Sequence, residues 1–244
     1  MGVIKKWLED NLKLLGLSIR LQLGRKFWIV PLLALSWPLF QAGRLLLSDA
    51  AQSFNEISVQ NTLIGFPMTV IAIGLGVSII AGEIERRTLE VAYTVPGGAR
   101  RIWIAKLVAI IFLLLLTEML LAAVTAVFFT AFPLAALYGA FQGAVFYLVV
   151  AMGLGALFKS EITAVLVALV ILAANAVLLN LSNTPGHLSN RISPLFNPLA
   201  LTDTNLSLVL AWTVQNRIGI ALLIIGLAAL AFARAEQRER LMGG

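Results

Sequence analysis

The stretch IAKLVAIIFLLLLTEMLLAAVTAVFFT, residues 104–130, holds one lysine and one glutamate in an otherwise uncharged and mostly apolar run. A helix rises about 1.5 Å per residue, and the hydrocarbon core of a bilayer is about 30 Å thick, so about 20 apolar residues suffice for one crossing. In lipid such a helix satisfies its own backbone donors and acceptors. Five further segments read the same way, at about 27–47, 62–81, 133–158, 162–182 and 214–233. The whole chain of 244 residues is 60% hydrophobic and only 12% charged, with a mean hydropathy of +0.94. Soluble domains carry roughly one-quarter charged residues. The sequence therefore predicts an all-α integral membrane protein, one domain over residues 1–244 with six transmembrane helices and no sizeable soluble part.

The first segment is interrupted by Pro31, Pro38, Gln41 and Arg44, and Pro133 suits the first turn of the fourth, where a missing N–H costs nothing. Residues 1–26 have no signal-peptide core. They place Ile4, Leu8, Leu12, Leu15, Ile19 and Leu23 at helical spacing, with Lys5, Glu9, Lys13 and Arg20 on other faces. That pattern predicts an amphipathic helix lying in the interface against membrane lipid.

Orientation follows from the basic residues. With both termini in the cytoplasm, fifteen of the eighteen lysines and arginines lie inside, and only Arg44, Arg191 and Arg217 lie outside. The positive-inside rule accounts for the net charge of +6, so no nucleic-acid partner is expected. Residues 183–213 become an outer loop, in which Pro185, Pro194 and Pro198 among apolar residues suggest short helices at the membrane surface.

Enzyme chemistry lacks the residues it needs. The chain has no cysteine, one histidine (His187), no phosphate-binding glycine loop and no paired-histidine metal motif, so no metal site and no catalytic residue are expected. Helices one to three do not resemble helices four to six, which removes support for an inverted-repeat carrier. Glu118 is the one ionisable side chain deep in an apolar run. Left unpaired there it costs roughly 2.5–3.5 kcal/mol on insertion scales, so it faces protein or water. Glu118, Asn175 and Asn180 are the intramembrane polar residues that a gate or substrate path would use, and Asn175 is one candidate partner for Glu118. Gly139 and Gly143, then Gly153 and Gly155, favour close helix packing within the bundle.

Between the second and third segments lies a charged island, GEIERRTLEVAYTVPGGARRIW, residues 82–103. Ile84, Thr88, Val91 and Val95 form one stripe, Glu83, Arg86, Arg87 and Glu90 fill the other faces, and Pro96-Gly97-Gly98 breaks the helix. Fixing topology needs a few basic residues but not three ordered glutamates, so the pattern favours a surface for docking another protein.

Glu85-Arg-Arg-Thr-Leu-Glu90, then Tyr93-Thr94-Val95-Pro96, the pair Arg100 and Arg101, and Lys106 opening the next helix resemble the first cytoplasmic loop of ABC-2 type transporter permeases. Arg87 stands where many members have glycine. The resemblance implies a multi-pass permease of a prokaryotic plasma or inner membrane. It further implies that residues 82–103 form a coupling helix seated on a separate ATPase, the N-terminal helix lying beside it. Glu85, Thr88, Leu89, Glu90, Thr94 and Pro96 carry over as contact residues. Arg87 and Tyr93 join them as charged and aromatic groups suited to an interface.

The same resemblance implies two ATPase subunits that bind ATP and Mg, a second copy of the chain or a similar permease, no cofactor in this chain, and a path lined by helices one, two and five. Substrates compatible with that path include a lipid, a hydrophobic drug, a peptide and a glycan carrier. Two other readings remain: a proton-coupled carrier using Glu118, and a membrane scaffold that transports nothing.

Overall fold

The computed structural model describes residues 28–47, 54–85, 98–181, 191–201 and 205–242. Among them there is no strand, and six helices are long and apolar enough to cross a membrane. They are α1 (Ile29–Leu47), α2 (Glu56–Glu85), α3 (Gly98–Phe128), α4 (Leu134–Phe158), α5 (Glu161–Leu181) and α6 (Leu206–Met242). The chain is an all-α multi-pass membrane protein.

Helices α2 and α4 form the centre and share the most extensive contact in the bundle. Helix α6 packs on α4, α5 crosses both α2 and α4, and α1 rests on α3 and α2. In lipid there is no hydrophobic drive between helices, so close approach depends on small side chains. At Gly76 an added Cβ would strike the Leu148 carbonyl of α4, and at Gly155 it would come within 3.1 Å of the Val77 carbonyl of α2. The two glycines thus face reciprocally across one interface. On its other side α3 is tied to α6 by Trp103, which stacks on Phe232 with ring centroids 6.5 Å apart.

Hydropathy misplaces several ends. Helix α3 starts at Gly98, directly after Pro96-Gly97, and takes Arg100 and Arg101 into its first turn. Helix α6 runs 37 residues, about 55 Å, and so projects well beyond a hydrocarbon core. Polar residues at helix ends lower local hydropathy without stopping the helix. Pro133 is the N-cap of α4, in extended conformation (φ −76, ψ 152), rather than part of its first turn. The turn from α4 to α5 is short because Lys159 adopts a left-handed conformation (φ 64) and donates its N–H to Gly155 O at 3.1 Å.

Helix α2 is irregular where it matters for the site. Residues Val59–Gly65 are π-helical, and the helix returns to α geometry from Phe66. In a π register each carbonyl pairs five residues on, so Thr62 O would look to residue 67. That residue is Pro67, which has no N–H. The freed Thr62 carbonyl instead accepts the indole Nε1–H of Trp37 on α1 at 2.8 Å. Gly65 permits the wide turn, since a Cβ there would collide with the Gln60 carbonyl.

Candidate functional site

A groove of about 600 Å³ runs between α2 and α5. Its α2 wall carries Asn61, Thr62, Phe66, Thr69 and Val70, and its α5 wall carries Leu169, Leu172, Ala173, Ala176 and Leu179. Asn61, Phe66, Val70 and Ala173 are exposed, so the groove opens on the surface of the bundle. Two features make the space. The π segment displaces the start of α2 from regular α geometry, and Ala173 and Ala176 withhold volume where leucine would fill it. Thr69 lies on the floor, 1% exposed, and its hydroxyl has no hydrogen-bond partner. Thr117 and Thr213, also within helices, bond the carbonyl four residues back at 2.8 and 2.7 Å.

One end of the groove is roofed by Leu195, which belongs to the segment 191–201 preceding α6. Helices α2, α5 and α6 pin this segment through side-chain amides. Gln60 Nε2 of α2 donates to Phe196 O at 2.7 Å, and Asn197 Nδ2 donates to Ile57 O at 2.9 Å. Asn216 Nδ2 of α6 donates to Arg191 O and Ser193 O at 2.7 and 2.9 Å. Ser193 Oγ donates to Asn175 Oδ1 of α5 at 3.1 Å. Arg217 donates to Gln142 Oε1 of α4 at 3.2 Å and to Phe196 O at 3.4 Å, with its guanidinium 5.5 Å from the Tyr138 ring centre.

The small residues of α4 make this end possible. A Cβ at Gly139 would strike the Gln60 amide and stand 2.7 Å from Arg217 Nη2, and one at Gly143 would lie 3.2 Å from Pro194 O. The G-x-x-x-G pair thus packs within the bundle, as the sequence suggests, and what it accommodates is the segment 191–201.

The opposite end of the bundle is held by charges. Glu83 of α2 pairs with Lys106 of α3, with side chains 14% and 6% exposed. Glu85 Oε1 accepts the backbone N–H of Glu161, the first residue of α5, at 2.8 Å. A carboxylate there completes an unpaired helix N-terminus and favours its dipole. Arg100 at the start of α3 reaches Glu236 of α6 at 3.5 Å. The points where the charged island leaves α2 and enters α3 are therefore tied to α3, α5 and α6.

Of the residues singled out by sequence, Glu85 caps α5, Glu118 lies on α3 and Asn175 on α5. Glu118 is 2% exposed, with Oε1 unpartnered and its carboxyl against the backbone of Phe141 on α4. Asn175 does not serve it. Its Oδ1 goes to Ser193, and α3 and α5 share no extensive contact. Asn180 lies within α5, its side chain outside the described residues. Arg87, Thr88, Leu89, Glu90, Tyr93, Thr94 and Pro96, like the proposed N-terminal helix over 1–26, also lie outside the described residues.

Sequence reasoning missed Gln60, Thr69, Gln142, Asn216 and Arg217. A signal existed, since each is polar within or beside an apolar run. No metal-binding cluster of histidine, aspartate and glutamate occurs among the described residues. Compared with family models, with curated proteins and with solved structures, the chain matches none.

Proposed function

We propose that this chain is the membrane subunit of an ATP-driven exporter of the ABC-2 kind, working with a second permease copy and with separate ATPase subunits that bind ATP and Mg. The observation that carries the reading is the Glu85–Glu90 and Tyr93–Pro96 motif standing between α2 and α3, at an end of the bundle held by Glu83–Lys106 and by Glu85 on α5. In this reading that end is cytoplasmic, residues 86–97 dock on the ATPase, and the groove between α2 and α5 is part of the translocation path.

The mechanical logic follows from where the ties run. Closure of an ATPase pair moves the docked segment as a lever. Glu85 transmits that displacement to the first turn of α5, and Glu83 transmits it through Lys106 to α3. Helices α2 and α5 wall the groove, so relative motion between them changes its width. This chain contributes the path and the lever, and hydrolysis belongs to the partner.

A proton-coupled carrier is the second reading, because Glu118 is buried with an unpartnered oxygen. The test separates the two. Affinity isolation of the full chain in mild detergent, with mass identification of bound proteins, should recover an ATPase, and Glu90→Arg should lose or uncouple it while still inserting in the membrane. A deletion serves only from residue 88 onward, since Glu85 also caps α5. An ATPase that stays fully coupled to Glu90→Arg refutes the docking role.

A further inference from the structure

The groove between α2 and α5 says something about what it holds. None of its twelve lining residues carries a charge. Eight of them are apolar side chains of Phe, Val, Leu and Ala, and the polar residues are Asn61, Thr62 and Thr69. A volume of about 600 Å³ suits a single small amphiphile. A charged group placed here would lose its hydration with no ion to offset the loss, whereas an uncharged one would lose little. The floor supplies one unmet need: the Thr69 hydroxyl is buried without a hydrogen-bond partner, as is that of Thr125 away from the groove, whereas Thr117 and Thr213 bond within their helices.

Resting on the groove as the translocation path, we infer that its ligand is an uncharged, largely apolar molecule bearing a hydroxyl or carbonyl that bonds to Thr69. A charged headgroup, an acidic glycan and a basic peptide all lack a counter-charge in the groove wall. Asn61 at the mouth offers a second, solvated polar contact for the same molecule. Leu195 covers the groove at the same end as Asn61, and the apolar body lies along α5 between Leu169 and Leu179.

The test uses the full-length protein in nanodiscs with three photoreactive diazirine probes of equal chain length: a long-chain alcohol, the matching carboxylate and the matching quaternary ammonium. The alcohol should label peptides covering 61–70 and 169–179 saturably, and unlabelled long-chain alcohol should compete. Loss of one neutral hydrogen bond lowers affinity roughly threefold to tenfold, so Thr69→Val should weaken saturable labelling by that factor and Thr69→Ser should restore it. Saturable labelling by a charged probe in place of the alcohol overturns the uncharged class while leaving the groove as a binding site. Unsaturable labelling by all three, equal to that of the exposed face of α1 at Leu32 and Leu33, overturns both the ligand class and the groove as a path. Wild-type labelling of Thr69→Val overturns the role of the hydroxyl.

Discussion

Replacing Lys106 with methionine tests whether the charged end of the bundle is held by a buried ion pair. The Lys106 side chain is 6% exposed and that of Glu83 is 14% exposed, so water screens neither well. Methionine keeps the length and apolar stem of lysine and removes only the charge. The change removes one member of a buried pair, which costs about 3–5 kcal/mol. In a chain of this size each kcal/mol lowers the melting temperature by roughly 2–4 °C, so the expected shift is about 6–20 °C. The double variant Glu83→Gln, Lys106→Met removes both charges, and exchange of a buried pair for neutral groups is often close to neutral. It should melt within about 4 °C of the wild type. The assay is thermal unfolding in one detergent followed by tryptophan fluorescence, for which Trp103, one turn before Lys106 and 1% exposed, is a local reporter. A single variant within about 2 °C of the wild type, or a double variant as unstable as the single ones, refutes the reasoning.

Gly139→Leu should drive the Gln60 and Arg217 side chains apart, costing about 1–3 kcal/mol, and amide hydrogen exchange over 191–201 should quicken while α3 is unchanged. Unchanged exchange there would mean that Gly139 does not make the space for the pinned segment. Glu118→Gln, nearly isosteric at a 2% exposed site, should fold with a melting temperature within about 3 °C of the wild type yet alter transport or its pH dependence. Wild-type transport at every pH would reduce Glu118 to a packing residue.

The transmembrane plan was legible because an apolar run long enough to cross a bilayer has few other stable fates, and all six segments became helices. Helix ends were not: Arg100 and Arg101 in α3 look like loop by hydropathy while the backbone is already helical, and the apolar stretch 206–212 at the start of α6 follows so closely on the prolines of 185–198 that it reads as part of the outer loop. The π segment of α2 was hidden for a different reason. Gly65 and Pro67 are each ordinary in a membrane helix, and only Trp37, 25 residues earlier, reveals that the Thr62 carbonyl has been released.

The polar pins on 191–201 are similarly non-local. Gln60 and Phe196 stand 136 residues apart, and no spacing rule joins them. Glu85 shows the opposite case: its motif was readable, but its bond to the N-terminus of α5 was not, since α5 begins 76 residues later. Glu118 was visible as an anomaly in an apolar run, whereas Asn175 looked available for it and is instead committed to Ser193.

In the proposed mechanism, an ATP cycle outside this chain moves the walls of the groove. The chain contains no cysteine, so Ala173→Cys places a single thiol on the α5 wall. Maleimide reacts with the thiolate, and its rate therefore reports water reaching that position. Measured in native membrane vesicles, the rate should change severalfold on addition of ATP and Mg, and the change should vanish when Glu90→Arg is added. A rate indifferent to ATP and Mg but shifted by an imposed proton gradient would contradict the account and favour a carrier working through Glu118.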